Sequence, residues 1–227
     1  PGVSFMLRAG ERLSFAGGPR GCRAYLAVAG GVAVPPVLGS RSTDLLGRLG
    51  GVAGRPLRAG DLLAAGEASA PPGELAGRRL RPGVLPDYPP EVTVRALLGP
   101  QEDWFSREAI ARFFSHAYQV TPLSDRTGLR LEGPAVAPCP SRELPSEGTP
   151  PGSVQVPGGG QPIVLLAGCQ TLGGYPKIAT VITADLPQLG QARPGYTRLR
   201  FQAATLAEAH RAMAEQARWL ADQNIVG

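Results

Sequence analysis

Glycine and proline cut this chain into short apolar runs, which limits it to folds made of short strands and tight turns. There are 31 Gly and 24 Pro among 227 residues, and they punctuate the runs instead of forming a repeat. Cys22, Ala24, Leu26 and Val28 alternate with Arg23, Tyr25 and Ala27, which predicts a half-buried strand ended by Gly30-Gly31. Arg12 to Phe15 and a run opening at Asp61-Leu62-Leu63 read the same way. Val92, Val94 and Ala96 share one face of a predicted strand at 92–98. Further strands are predicted at 118–121, 129–132, 154–156, 163–166, 178–184 and 198–201; those at 163–166 and 178–184 are continuously apolar and should be buried.

Two stretches change period. Phe105, Ala109 and Phe113, with Ile110 and Phe114, recur at helical spacing, and Ser106 suits an N-cap. His116 falls just past the end of that helix, where the dipole favours it. Thr205-Leu206-Ala207-Glu208 is a capping box. It opens a helix whose apolar stripe, Leu206, Ala209, Met213, Ala217 and Leu220, reads as a packing face. A loop is expected at 134–152. The Pro-, Gly-, Ala- and Arg-rich stretch 66–90 is the best linker, so domains are expected at 1–85 and 86–227.

Composition excludes several function classes. The net charge is +5, but the basic residues are scattered and aromatics make up only 6%. The densest basic cluster, Arg78, Arg79 and Arg81, lies beside Asp87 and Glu91, so the chain lacks the basic face and stacking aromatics of a nucleic-acid binder. Cys22, Cys139 and Cys169 are odd in number and widely spaced, and His116 and His210 are the only histidines. That is neither a disulfide framework nor a zinc pattern, so no metal is expected and a reducing cytoplasm fits best. No apolar run approaches the roughly 20 residues of a membrane span. The chain opens on Pro1-Gly2-Val3 without methionine or a signal-peptide pattern, and reads as a processed or truncated start.

Four segments carry a family resemblance. They are RAYLAVAGGVAVPPVLGSRSTDLLGRLGGVAGRPLRAGDLL at 23–63, LLGPQEDWF at 97–105, SDRTGLRLEGP at 124–134, and PSEGTPPGSVQVPGGGQPIVLLAGCQTLGGYPKIATVITADLPQLGQARPG at 145–195. Together they resemble the carboxyltransferase family that contains the C subunit of 5-oxoprolinase, allophanate hydrolase subunit 2-like proteins and the carboxyltransferase domain of urea amidolyase. The resemblance implies a mainly β fold of two cyclophilin-like β-barrel lobes with a few short helices. Family members carry a further N-terminal stretch, so the first lobe is expected to be incomplete here. The implied function is that of the C subunit of an ATP-dependent 5-oxoprolinase, working with a subunit-B-like protein and the A subunit to convert 5-oxoproline to glutamate. Two alternatives follow from the same family. One is a biotin-dependent carboxyltransferase acting on urea or a related amide; the other is a non-catalytic regulator that binds a subunit-B-like kinase inhibitor. The chain has no Walker A phosphate loop, so the ATP of the complex is expected to bind elsewhere. It also has no biotinyl-lysine motif, so any biotin would arrive on another domain.

The candidate site residues fall in these segments. Ser40, Arg41, Ser42, Thr43 and Asp44 follow a Pro-Pro turn, and a guanidinium among hydroxyls can grip an anion. The same residue types also cap turns and would suit a helix at 45–49. Ser124, Asp125 and Arg126 repeat that chemistry, or form a local ion pair. Gln155, Gln161 and Gln170 sit among apolar strands, and buried amides need partners, so they are expected to meet partners or a ligand, and a lactam or ureide would suit them. Gln170-Thr171-Leu172-Gly173-Gly174-Tyr175-Pro176 is the most distinctive run; Gly173 and Gly174 allow close backbone approach to an oxyanion. Gln170, Thr171 and Lys177 are the expected catalytic groups. Lys177, the only lysine, would stabilise negative charge or else lie at the surface of a strand start. Tyr175 joins the binding set. The family pattern places an acid two residues before the glutamine, where this chain has Gly168.

Overall fold

The computed structural model describes residues 2–18, 21–84, 86–139, 144–220 and 225–226. In chain order the elements are α1 (Pro72–Leu75), β1 (Arg79–Leu80), β2 (Glu91–Leu98), α2 (Arg107–Ser115), β3 (Ala117–Val120) and β4 (Gly128–Glu132). Then come β5 (Glu147–Gly148), β6 (Ser153–Gln155), β7 (Ile163–Leu165), β8 (Leu172–Gly173), β9 (Lys177–Val181), α3 (Leu186–Gln191), β10 (Arg198–Ala203), α4 (Leu206–Trp219) and β11 (Ile225–Val226). They fall into two compact units: the described residues of Pro1–Ser14, Ala24–Arg81 and Ile225–Gly227, and those of Phe15–Arg23 and Pro82–Asn224.

The larger unit is a closed seven-stranded barrel in the order β10-β2-β9-β6-β7-β4-β3. Closure leaves no free sheet edge, and alternate side chains fill the interior. Val92, Val94 and Ala96 of β2 point inward as their period-two spacing predicts. β2 pairs in parallel with β10, placing Phe201 opposite Val94, whereas every other barrel pairing is antiparallel. Amphipathic α2 lies over this interior and buries Ala109 and Phe113. Phe113 stacks on Phe201 with centroids 4.3 Å apart, and Tyr118 meets both rings at about 6 Å. Ser106 caps α2 by accepting from Ala109 N at 3.1 Å, and Thr205 and Glu208 form the full capping box of α4.

Two helices of this unit differ from the sequence expectation. The α4 stripe does not pack as its period suggests: Leu206, Met213 and Leu220 are exposed, and Ala212 is the buried residue of the helix. The helix is held instead through Gln216, which donates to Ala184 O at 3.3 Å, in a turn tied to β2 by Arg95 and Asp185. The other is α3, whose Leu-Pro-Gln start is a good N-terminal helical turn that the loop-like composition concealed.

The smaller unit is not closed into a barrel among its described residues. It holds α1, the two-residue pair β1–β11, and isolated bridges at Val3–Arg79, Val32–Ala65, Val37–Ser40 and Asp44–Leu49. The strands predicted at 12–15, 23–29 and from 61 are absent. Alternation alone cannot hold a strand without a partner and a surface to cover: Tyr25 is 90% exposed and Leu26 55%. The helix weighed at 45–49 is absent too. There Asp44 and Leu49 exchange backbone bonds of 2.9 and 3.0 Å around a turn. No helix among the described residues is long and apolar enough to cross a membrane.

Candidate functional site

The site is built where the β5–β8 ribbon meets the start of β9. Glu147 is the register partner of Gly173, and Gly148 of Leu172. Between Val154 and Gln155 the β6–β9 pairing slips, so that Gln155 comes opposite Lys177. Gly99 has no room for a side chain, since a Cβ there would lie 2.1 Å from Lys177 O. That close approach delivers Gln101, two residues later, to Lys177.

Lys177 is buried, with 5% of its side chain exposed. The surface alternative raised by the sequence is therefore overturned: the lysine is paired and enclosed. Its Nζ donates to Glu147 Oε1 at 2.5 Å and to Gly148 O at 3.3 Å. Gln101 bridges the pair, giving its Nε2 hydrogen to Glu147 Oε1 at 2.7 Å and accepting from Lys177 N at 3.1 Å. A buried ammonium needs such a carboxylate, because desolvating a lone charge is costly. The hydrogen bond from Lys177, helped by Gln101, holds the Glu147 carboxyl below its usual range against an opposing push from burial.

The predicted glutamine–glycine run lies beside this pair, with Gly173 opposite Glu147 and Lys177 directly following it in sequence. Gln155 is fully buried and its Nε2 donates to Tyr175 O at 3.5 Å. Thr149 donates through its backbone to Thr171 O at 2.9 Å and through Oγ1 to Gln170 O at 2.6 Å. The Gln170, Thr171 and Tyr175 side chains remain at least partly exposed on the ribbon. Gly173 is required by space: a Cβ would meet Gln155 Nε2 at 2.7 Å, Thr149 Cγ2 at 3.1 Å and Gln170 Nε2 at 3.4 Å. Cys169 donates to Thr149 O at 3.5 Å, and burial raises its thiol pKa. Gln155, Gln170, Thr171, Gly173, Gly174, Tyr175 and Lys177 thus gather in one place, with an ammonium, a carboxylate and two amides able to donate to and accept from a small polar ligand.

The other candidates are placed differently. Gln161 exchanges bonds of 3.0 and 3.1 Å with the backbone of Gly133, closing a loop. Asp125 accepts from Thr127 N, Thr127 Oγ1 and Gly128 N, a turn-forming set that lowers its pKa. Ser124 exchanges bonds with the backbone of Arg130. Arg126 adjoins the site through its main chain, accepting from Gly168 N at 3.1 Å. A Cβ at Gly168 would lie 2.9 Å from that same carbonyl, so the acid of the family pattern does not fit this backbone unshifted. In the smaller unit, Arg41 donates to Val34 O at 3.0 Å, Ser40 Oγ accepts from Ser42 N, and Asp44 accepts from Leu46 N and Gly47 N.

Sequence reasoning missed Glu147 and Gln101. A lone acid in the Pro-Ser-Glu-Gly stretch looks like a solvated turn. The available signal was the single lysine, because a buried ammonium obliges a carboxylate to exist somewhere. Among the described residues no group of three or more His, Cys, Asp or Glu could hold a metal.

Comparison with known proteins agrees with the residue-level resemblance. A carboxyltransferase domain family comprising subdomains A and B matches residues 1–203. The C subunit of the Escherichia coli (strain K12) 5-oxoprolinase is 42% identical over 214 residues, 94% of this chain and 66% of that protein. Its counterpart from Haemophilus influenzae is 39% identical over 205 residues, 90% of this chain and 63% of that protein. This chain therefore spans about two thirds or less of the length of these relatives. The crystal structure of the Kluyveromyces lactis urea carboxylase superposes with a TM-score of 0.77 at 27% identity, over 92% of this chain and 21% of that one.

Proposed function

This chain belongs to the carboxyltransferase family of subdomains A and B, and from that premise we propose that it serves as the C subunit of an ATP-dependent 5-oxoprolinase, opening 5-oxoproline to glutamate. The observation that carries the reading is the ion pair between buried Lys177 and partly exposed Glu147, across the ribbon from Gly173, in a chain 42% identical to the C subunit of a 5-oxoprolinase. Opening a lactam builds negative charge on the carbonyl oxygen and leaves a nitrogen that must gain a proton. An enclosed ammonium supplies charge stabilisation where solvent does not screen it. Gln170 and Thr171 present polar groups on the exposed side of the same ribbon, and Gln155 fixes the Tyr175 carbonyl beneath them. Catalytic roles go to Lys177, Gln170 and Thr171, and substrate contacts to Gly173, Gly174 and Tyr175.

We assign ATP to companion proteins, since this chain has no Walker A loop. The companions are a subunit-B-like protein and the A subunit, and the setting is the cytoplasm. We read the smaller unit as part of a first cyclophilin-like lobe. Likeness to the urea carboxylase structure favours one second reading, carboxyl transfer to urea or a related amide from biotin carried on another domain. The test is co-expression with candidate A and B subunits, with this chain omitted as control. Release of glutamate from 5-oxoproline that needs both ATP and this chain supports the first reading. Consumption of carboxybiotin by the assembled complex, with no glutamate formed, supports the second.

A further inference from the structure

We propose that Glu147 reads the N–H of a cyclic-amide substrate through its second carboxylate oxygen, and so distinguishes a lactam from the matching lactone. This rests on the reading that the site takes 5-oxoproline. The two oxygens of Glu147 have different surroundings. Oε1 is held from within by Lys177 Nζ at 2.5 Å and Gln101 Nε2 at 2.7 Å. Oε2 takes no hydrogen bond from the described residues, and 37% of the side chain stays exposed, against 5% for Lys177. A carboxylate is planar, so fixing one oxygen with two donors also aims the other. An ionised carboxylate only accepts, so whatever it binds must bring a donor. A secondary lactam brings N–H beside its C=O, whereas a lactone has a ring oxygen there.

Two further features keep this geometry in place. Gln101 is committed at both ends, accepting from Lys177 N and donating to Glu147, so its amide cannot turn without losing both bonds. Across the ribbon the register partner of Glu147 is Gly173, which has no side chain to stand over the carboxylate.

The same geometry predicts what Glu147→Gln does. The inner position must remain an acceptor, because Lys177 and Gln101 both donate to it. The new amide therefore turns its NH2 outward, where it meets the lactam N–H donor to donor.

The experiment measures equilibrium binding of 5-oxoproline and of its lactone analogue, 5-oxotetrahydrofuran-2-carboxylate, to the assembled complex. Glutamate release by the wild-type complex is measured in parallel. The wild type should bind the lactam about tenfold or more tighter than the lactone, the size of one charge-assisted hydrogen bond. In Glu147→Gln the preference should vanish or reverse, chiefly through weaker lactam binding. Because that variant leaves the Lys177 ammonium without its carboxylate, the double variant Glu147→Gln/Lys177→Met removes the uncompensated charge, and it too should lack the preference. A wild-type complex that opens 5-oxoproline while both folded variants keep the lactam preference overturns the role of Glu147 alone. A wild-type complex that neither binds nor opens 5-oxoproline overturns the substrate reading and this inference with it.

Discussion

Replacing Gly173 by alanine adds one methyl group at the most crowded point of the site. The new Cβ would lie 2.7 Å from Gln155 Nε2 and 3.1 Å from Thr149 Cγ2. Ordinary contact begins near 3.4 Å, so the Gln155 amide must retreat by roughly 0.7 Å, a displacement a packed interior resists. Gln155 is fully buried and cannot swing into solvent. Its bond to Tyr175 O is already 3.5 Å long and would break. Overpacking of this kind costs about 1–3 kcal/mol. A buried amide left without a partner adds about 1–3 kcal/mol. Partial relaxation makes the two less than additive, so the expected destabilisation of the barrel is about 2–4 kcal/mol. Urea unfolding followed by the fluorescence of Trp104, which packs against the barrel core, measures it. Gln155→Ala in the same chain removes the tighter of the two contacts, so the double variant should recover about 1–3 kcal/mol of the loss, a coupling energy expected only for residues in contact. Wild-type stability in Gly173→Ala, or strictly additive effects in the double variant, would refute the packing assigned to this ribbon.

Two further outcomes are expected. Asp185 is buried and accepts three hydrogen bonds from Arg95, through N at 2.7 Å, Nε at 3.0 Å and Nη2 at 2.7 Å. Asp185→Asn should destabilise the barrel by about 2–4 kcal/mol in urea, at the lower side of a fully buried pair because Arg95 is only partly covered; a change under about 0.5 kcal/mol would show the pair to be ornamental. Burial pushes the Tyr118 phenol up to about 12. A raised folded pKa for this acid means that the folded state favours the neutral phenol; the unfolded chain loses that proton first, so stability falls as pH rises from about 10 towards 12. Spectrophotometric titration should therefore show a late step near pH 12 that is missing in Tyr118→Phe, and a titration identical in both would contradict its burial.

The barrel was legible in the sequence because its signals are local. Val92, Val94 and Ala96 alternate, Ser106 and Thr205 cap helices, and the apolar runs at 163–166 and 178–184 predict buried strands, although the second ends as a strand at Val181 and Thr183 is exposed. The smaller unit was misread for the converse reason. Residues 23–29 carry a strand's alternation, but alternation states only what a strand would bury, and no described residue there offers a surface to cover. The α4 stripe failed similarly, since periodicity identifies a face without saying what it meets. Within the site, the Gln170–Pro176 run and Lys177 stood out from their residue types. Glu147 and Gln101 did not, because 46 and 76 residues separate Gln101 from the partners that its side chain joins. Gly168 shows the same limit: the missing acid is visible in the sequence, but only the nearby Arg126 carbonyl explains why a side chain is excluded.

ATP-dependent glutamate release by the assembled complex carrying Lys177→Met, run beside the wild type and a preparation without this chain, decides whether Lys177 acts in lactam opening. Methionine keeps the volume and removes the buried ammonium, while the partly exposed Glu147 carboxylate keeps solvent and the Gln101 amide, so the complex should still assemble. The expected result is turnover by the wild type, none without the chain, and a fall of about a hundredfold or more in Lys177→Met, the scale of losing one preorganised donor to a developing oxyanion. Undiminished glutamate release by an assembled Lys177→Met complex, or release that does not need this chain, would contradict it.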